Sequence, residues 1–127
     1  MNENKEYISQ LQENGALHIS EDVVASIAGM AALETEGVSC LGNGMGADLA
    51  DILGKKNLGK GIRITAGEDN SVSVDCTILL KIGFSIVEVS RNVQNAIISN
   101  LESTTGLKVS AVNVTVSGIA LPKENKR

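Results

Sequence analysis

Aromatic side chains are almost absent from this chain of 127 residues: Tyr7 and Phe84 are the only two, and there is no tryptophan. A core must therefore be built from Val, Ile, Leu and Ala. Hydrophobic residues make up 43% of the chain, which argues against a disordered protein. At this length one domain is expected to bury roughly two-thirds of its unfolded surface.

Long apolar segments are also missing. No run approaches the ~20 residues that cross a bilayer, and the polar N-terminus has no apolar signal segment. The only cysteines, Cys40 and Cys76, are isolated in the sequence. Two such thiols are typical of a reduced, cytoplasmic protein. We therefore expect a cytoplasmic location with no direct insertion into a membrane.

No set of residues with the spacing of a catalytic or metal site is present. His18 is the single histidine, and nothing groups around it that a triad or zinc site would need. Asp48 and Asp51 are more typical of a solvated helix face. Residues 54–60 resemble a phosphate-binding loop, but Gly61 follows where Ser or Thr should bind the metal. The sequence predicts no enzyme, no cofactor and no metal.

Nucleic-acid binding is disfavoured but is kept as an alternative. The second half of the chain has the β-β-α-β order of KH modules, which clamp RNA with a GXXG loop. No two glycines here are three residues apart, so that loop is absent. The strands carry no aromatic residues for stacking bases, and a pI near 4.9 does not suit the neutralisation of phosphates.

Two helices have sequence signals at both ends. In the second, residues 85–88 form a capping box that begins with Ser85, and Gly106 can take the left-handed conformation that ends a helix. In the first, Ser20 is a good N-cap. That helix is predicted to run to about Glu36 and to end at Gly37. Its small residues indicate close packing in a core.

Strands are predicted at 15–19, 61–66, 71–82 and 109–119, from the alternation of apolar and polar residues. Each of the last three has one apolar and one polar side, which is typical of a sheet with one solvated face. Residues 39–61 hold six of the thirteen glycines and read as a loop with a short helix at 48–53. Residues 1–14 are predicted to be a flexible arm.

These elements predict a single α+β domain. Its order is β-α-β-β-α-β, with two helices packed on one face of a three- or four-stranded, mostly antiparallel sheet. The predicted divisions are a flexible arm over 1–14, the α+β domain over 15–121 and a charged tail over 122–127.

Several short motifs occur along the chain in a specific order and spacing. They are Ile19-Ser20, Val23-Val24, residues 27–32, Gly37-Val38, residues 60–62, residues 83–86, Val93-Gln94, residues 105–107, residues 112–114, Val116 and Gly118. Together they resemble the bacterial alkaline-shock, or envelope stress response, protein family over about residues 15–121.

The resemblance implies a small cytoplasmic protein without catalytic residues, linked to cell-envelope homeostasis and stress. Some family members are held at the membrane by a small integral-membrane partner, and their abundance suggests a scaffold. One subgroup is associated with fatty-acid synthesis through acetyl-CoA carboxylase. The leading expectation is therefore a non-enzymatic scaffold with a membrane-anchored partner, and regulation of the carboxylase is the first alternative.

We also expect the chain to form a homo-oligomer, because residues 1–53 carry a net charge of −8 and residues 54–127 a net charge of +4. Opposite charges on two halves of a chain can attract one another within or between copies. The candidate partner surface combines the polar sheet face with lysines of the glycine-rich loop: Lys55, Lys56, Lys60, Thr65, Ser73, Asp75, Thr77 and Thr115.

Overall fold

A computed structural model describes residues 7–42, 61–67 and 69–121. The predicted short helix at 48–53 and the three lysines of the glycine-rich loop lie outside these ranges. The described elements are, in chain order, β1 (Tyr7–Gln12), β2 (Gly15–Ser20), α1 (Glu21–Leu33), β3 (Val38–Leu41), β4 (Ile62–Ala66), β5 (Ser71–Lys81), α2 (Ile86–Thr105) and β6 (Lys108–Ala120).

Strand β5 organises the main sheet, because it pairs with all three of the other strands. β4 runs antiparallel to its first half, and β3 runs antiparallel to its second half. Both lie on the same edge, since β6 pairs along the whole length of the other edge. The β5–β6 pair is parallel, and α2 supplies the crossover connection that parallel neighbours need.

The core lies between the sheet and the two helices. Alternate residues of β5 point inward, and their exposure is 1% or less from Val72 to Leu80. Helix α2 places a stripe of four residues against them at the i, i+4 spacing of one helix face. This stripe is Val89, Val93, Ile97 and Leu101, each 3% exposed or less. The buried face of α1 is made largely of alanine.

The predicted helix ends are confirmed for α2 and partly wrong for α1. Ser85 Oγ accepts a hydrogen bond from the Glu88 amide, and Gly106 has φ +77°. Helix α1 starts after Ser20 as predicted but ends at Leu33, three residues before Glu36. The reason is that the Thr35 hydroxyl donates to the Ala31 carbonyl, which satisfies a terminal acceptor without another helical turn.

The N-terminal arm prediction is wrong over Tyr7–Gln12, which forms β1. This strand pairs with β2 in a separate two-stranded antiparallel sheet. Ile8 is 4% exposed and belongs to the core, while the Gln10 amide donates to the Thr105 carbonyl at the end of α2. These two anchors were not visible in a polar segment with only three sizeable apolar positions after Met1.

The α+β class, the two helices on one face and the mostly antiparallel sheet are confirmed, and the sheet has four strands. The described element order is β-β-α-β-β-β-α-β. It adds β1 and β3 to the prediction and moves the strand at 15–20 out of the main sheet. The predicted loop over 39–61 is wrong at its start, where β3 forms, because Val38–Leu41 continues directly into glycine-rich sequence and has no clear strand pattern.

Candidate functional site

The face of the main sheet that points away from the helices is polar and accessible. We call it the outer face. All five described residues of the candidate partner surface lie on it: Thr65, Ser73, Asp75, Thr77 and Thr115. Strand register brings them together, since Thr65 is opposite Ser73 and Thr77 is opposite Thr115. Each is half-buried or exposed, as expected of a solvated sheet face.

A row of three side chains crosses the middle of the outer face. Arg63 is opposite Asp75 on one side, and Asn113 is opposite Asp75 on the other. The Asn113 amide donates to a carboxylate oxygen of Asp75 over 2.9 Å, which fixes the orientation of both groups. A shallow open depression of about 410 Å³ lies beside this row, lined by Gly61, Ile62, Arg63, Asp75 and Thr77.

The glycine-rich segment leaves and rejoins the sheet at one point on this face. The Gly42 amide donates to the Thr77 carbonyl over 2.8 Å, and the Thr77 amide donates to the Gly61 carbonyl over 2.8 Å. Thr77 therefore holds the last residue before residues 43–60 and the first residue after them. The Ser117 hydroxyl also donates to the Gly42 carbonyl over 2.9 Å, so β6 fixes the same junction.

Sequence reasoning missed three members of this site. Arg63 lies between two inward isoleucines, so the alternation that placed Thr65 on the outer face also predicts Arg63 there. Asn113 and Ser117 alternate with the valines of β6, which predicts a polar side but not membership of the site. Their roles depend on contacts with Asp75 and Gly42, and no local pattern reveals contacts between such distant positions.

Three further residues with potentially reactive side chains are His18, Cys76 and Cys40. His18 is exposed on β2, and its Nδ1 lies 2.7 Å from the Ser9 hydroxyl. Cys76 is 1% exposed in the core, and burial raises the pKa of its thiol to about 12. Cys40 is half-buried opposite Leu79.

The chemistry that the outer face offers is hydrogen bonding. Hydroxyl, amide, carboxylate and guanidinium groups lie side by side there, and between them they provide both donors and acceptors. Within residues 7–42, 61–67 and 69–121, three or more His, Cys, Asp or Glu side chains nowhere gather as a metal site would require. Neither described helix is long and apolar enough to cross a membrane.

A small α+β domain with one helix-covered sheet face and one polar face that no described element covers is the class of protein that these features define. The sequence model of the alkaline shock protein 23 family, described by a cell envelope-related function, matches residues 9–121. The chain belongs to this family. The match starts six residues before the predicted domain boundary at 15 and includes the last four residues of β1.

Relatives of similar length occur in bacteria. The uncharacterised protein Spy1535 of Streptococcus pyogenes serotype M6 is 36% identical over 112 residues, which cover 88% of this chain and 84% of the relative. The uncharacterised proteins YloU and YqhY of Bacillus subtilis are 33% and 30% identical. Both matches cover 83% of this chain, with 88% of YloU and 77% of YqhY. No solved structure matches the chain significantly.

Proposed function

We propose that this protein is a non-enzymatic scaffold of the cell envelope, which acts at the inner face of the cell membrane through a small integral-membrane partner and through self-association. The family's cell envelope-related function supports the setting. The observation that carries the proposal is the bare outer face. In a two-layer domain the second sheet face is available for a partner, and here it presents an ordered row of polar groups.

The central row suits recognition of a polar partner. Asn113 holds the Asp75 carboxylate, and the Arg63 side chain on the same row is exposed. An acceptor and a strong donor therefore lie one strand apart. The Asp75 carboxylate and the Asn113 amide are held by their hydrogen bond, and polar groups held in this way lose little conformational freedom when a partner binds, which favours specific recognition.

The junction at Thr77 supports the inclusion of Lys55, Lys56 and Lys60 in the same surface. Their segment begins after Gly42 and ends before Gly61, and the backbones of both glycines are hydrogen-bonded to the backbone of Thr77. Lysines in this segment would suit a partner with an acidic cytoplasmic tail or one that sits beside anionic lipids. The acidic N-terminal half of a second copy would be attracted in the same way.

The proposal is tested by crosslinking the tagged full chain in its native cells and identifying what copurifies from gently solubilised membranes. Two variants perturb the surface: Asp75→Lys with Arg63→Glu, and Lys55→Glu with Lys56→Glu. A matched control, Asn95→Lys, changes charge at an exposed position of α2 that faces away from the sheet. Urea unfolding of each purified variant checks that the domain still folds.

The expected result is one small integral-membrane protein that copurifies with the wild type and the control and is reduced at least about tenfold in both surface variants, as expected when charge complementarity is reversed. Equal recovery with all four proteins would overturn the assignment of the outer face. Recovery of acetyl-CoA carboxylase subunits without any membrane protein would overturn the tethered scaffold and favour the metabolic alternative.

A further inference from the structure

Strand β6 has one edge with no backbone partner among the described residues. β5 occupies its other edge from Lys108 to Ala120. In β5, Thr77 directs its amide and carbonyl toward β3 and β4, so Val74 and Cys76 direct theirs toward β6. In a parallel pair, the amide and carbonyl of one residue bond to the two residues that flank its partner on the other strand. Val112, Val114 and Val116 are the partners of β5 residues that point toward β6. These three valines therefore direct their own backbone groups away from β5.

The side chain of Gln94 confirms this direction independently. It extends from helix α2 to the edge of β6 and donates to the Val112 carbonyl over 3.0 Å. That carbonyl thus points to the open side of β6. One outward acceptor is satisfied within the chain in this way, while the outward amides of Val112, Val114 and Val116 have no hydrogen-bond partner in the described part of the molecule.

Natural edge strands usually carry a charge, a proline or a covering element that prevents further pairing. Between the bulges at Ser110 and Ser117, residues 111–116 contain neither a charged residue nor a proline. Their sequence alternates regularly between valine on the inner face and polar or small residues on the outer face. Six such residues form a regular edge that is ready to accept another strand.

Apolar side chains continue along the inner side of this edge. Val114 and Val116 are only partly buried although they point toward the helical layer. Ile119 is 41% exposed and Leu121 is 68% exposed at the end of the strand. Val87, 64% exposed, lies two turns before Gln94 on the same flank of α2. An added strand would cover these exposed apolar side chains as well as the unpaired backbone.

We propose that the occupant is the β6 strand of a second copy, paired antiparallel about a two-fold axis through Val114. Centring the axis on a residue matches valine with valine on the inner face, since Val112 meets Val116 of the other copy. It also places Asn113 against Thr115 on the outer face. No like charges meet, so the strand is complementary to itself, as a two-fold interface requires.

This inference rests on the proposed self-association and names its surface. The sheet would become continuous across the dimer, and both outer faces would lie side by side. Two copies would then present two rows of Arg63, Asp75 and Asn113 to the membrane partner. Paired sites bind a membrane-attached partner more tightly than one site does, because the second contact is made at high effective concentration.

Analytical ultracentrifugation of the full chain over a wide concentration range measures the dimer. Thr115→Lys adds one of the edge lysines that prevent pairing and is expected to raise the dimer Kd at least about tenfold, partly reversed by salt. The matched control Thr65→Lys makes the same change on the same face of β4 and is expected to leave Kd within about twofold, since surface changes away from an interface have small effects.

A second variant removes backbone pairing without adding charge. Val114→Pro deletes an outward amide that bonds nothing in the described chain, so circular dichroism should show a folded chain and ultracentrifugation a monomer. The variant leaves the outer-face side chains intact. Copurification of the membrane partner with this variant therefore separates loss of the dimer from loss of partner binding. Wild-type amide exchange at Val112, Val114 and Val116 should slow as protein concentration rises.

Three outcomes would overturn the β6 interface. One is a chain that stays monomeric at every concentration. Another is a dimer that persists in both the Thr115→Lys and the Val114→Pro variants, or a dimer that dissociates in the Thr65→Lys control instead. The third is exchange at the three valine amides that does not depend on concentration. Copurification of the membrane protein in any of these cases would leave the tethered-scaffold proposal standing.

Discussion

A Cβ atom built on Gly61 would lie 2.6 Å from the backbone nitrogen of Gly42, although residues 43–60 separate the two glycines in sequence. Both have positive φ, +83° for Gly61 and +72° for Gly42. The contact leaves no room for a side chain on Gly61, whereas nothing lies within 4 Å of a Cβ on Gly42. The two positions therefore share a backbone conformation and differ in the space available for a side chain.

Alanine substitution at these glycines should have unequal effects. Gly42→Ala is expected to lower the free energy of unfolding by about 1–2 kcal/mol, the penalty of a left-handed residue with a side chain. Gly61→Ala adds a clash with backbone atoms that cannot rotate away and should lower it further, by at least about 1 kcal/mol more. Urea unfolding of both variants measures the difference, and equal losses would contradict the close approach.

Ile8 and Leu11 lie on the same short strand and should respond very differently to truncation. Ile8 is 4% exposed and Leu11 is 86% exposed. We expect Ile8→Ala to destabilise the protein by about 2–5 kcal/mol, as other buried truncations do, and Leu11→Ala to change stability by less than about 0.5 kcal/mol. Thermal unfolding compares the two. A negligible effect at Ile8 would restore the original prediction of a flexible arm.

The Thr105 hydroxyl is a buried link between the end of α2 and the start of β6. It donates to the Leu101 carbonyl over 2.6 Å and accepts from the Leu107 amide over 3.1 Å. Thr105→Val keeps the shape but leaves that amide unsatisfied, which should cost about 1–3 kcal/mol of unfolding free energy. Thr105→Ser keeps the hydroxyl and should retain most of the stability in urea. A Val variant as stable as the Ser variant would argue against this link.

The Cys76 thiol makes stability depend on alkaline pH. Burial raises its pKa from 9.0 to about 12, so the unfolded chain releases this proton first as pH increases. The contribution is complete below pH 9 and is lost as pH rises toward 12, at up to about 1.4 kcal/mol per pH unit.

Cys76→Ala should remove that slope, while Cys40→Ala should keep it. Urea unfolding at several pH values between 9 and 11 measures both variants against the wild type. The same burial predicts that alkylating reagents leave Cys76 unmodified until the protein is denatured. Rapid native modification at Cys76, located by peptide mass spectrometry, would contradict its place in the core.

Local signals predicted much of the fold. The hydroxyl of Ser85 and the backbone of Gly106 define the ends of α2 through contacts within a few residues. Such contacts can be predicted from the local sequence. The period of two in β5 likewise predicted which side of the sheet would be buried. The α+β class and the polar outer face followed from these features together.

The parts that were missed depend on contacts between distant residues. β1 is ordered because Ile8 enters the core and Gln10 reaches Thr105, and neither contact has a local pattern. The row on the outer face needs the register of β4, β5 and β6, which places Arg63 and Asn113 on either side of Asp75. The predicted site residues on that face were recovered, but their arrangement was not.

The central place of β5 also sets an order on folding during synthesis. The first part of the chain to leave the ribosome contains α1 and β3, yet the only described sheet partner of β3 is β5, which ends at Lys81. The alanine-rich face of α1 must therefore wait for later residues before the sheet can cover it. Nascent chains in that interval expose apolar surface, and chaperone demand should last until α2, which also packs against α1, has emerged.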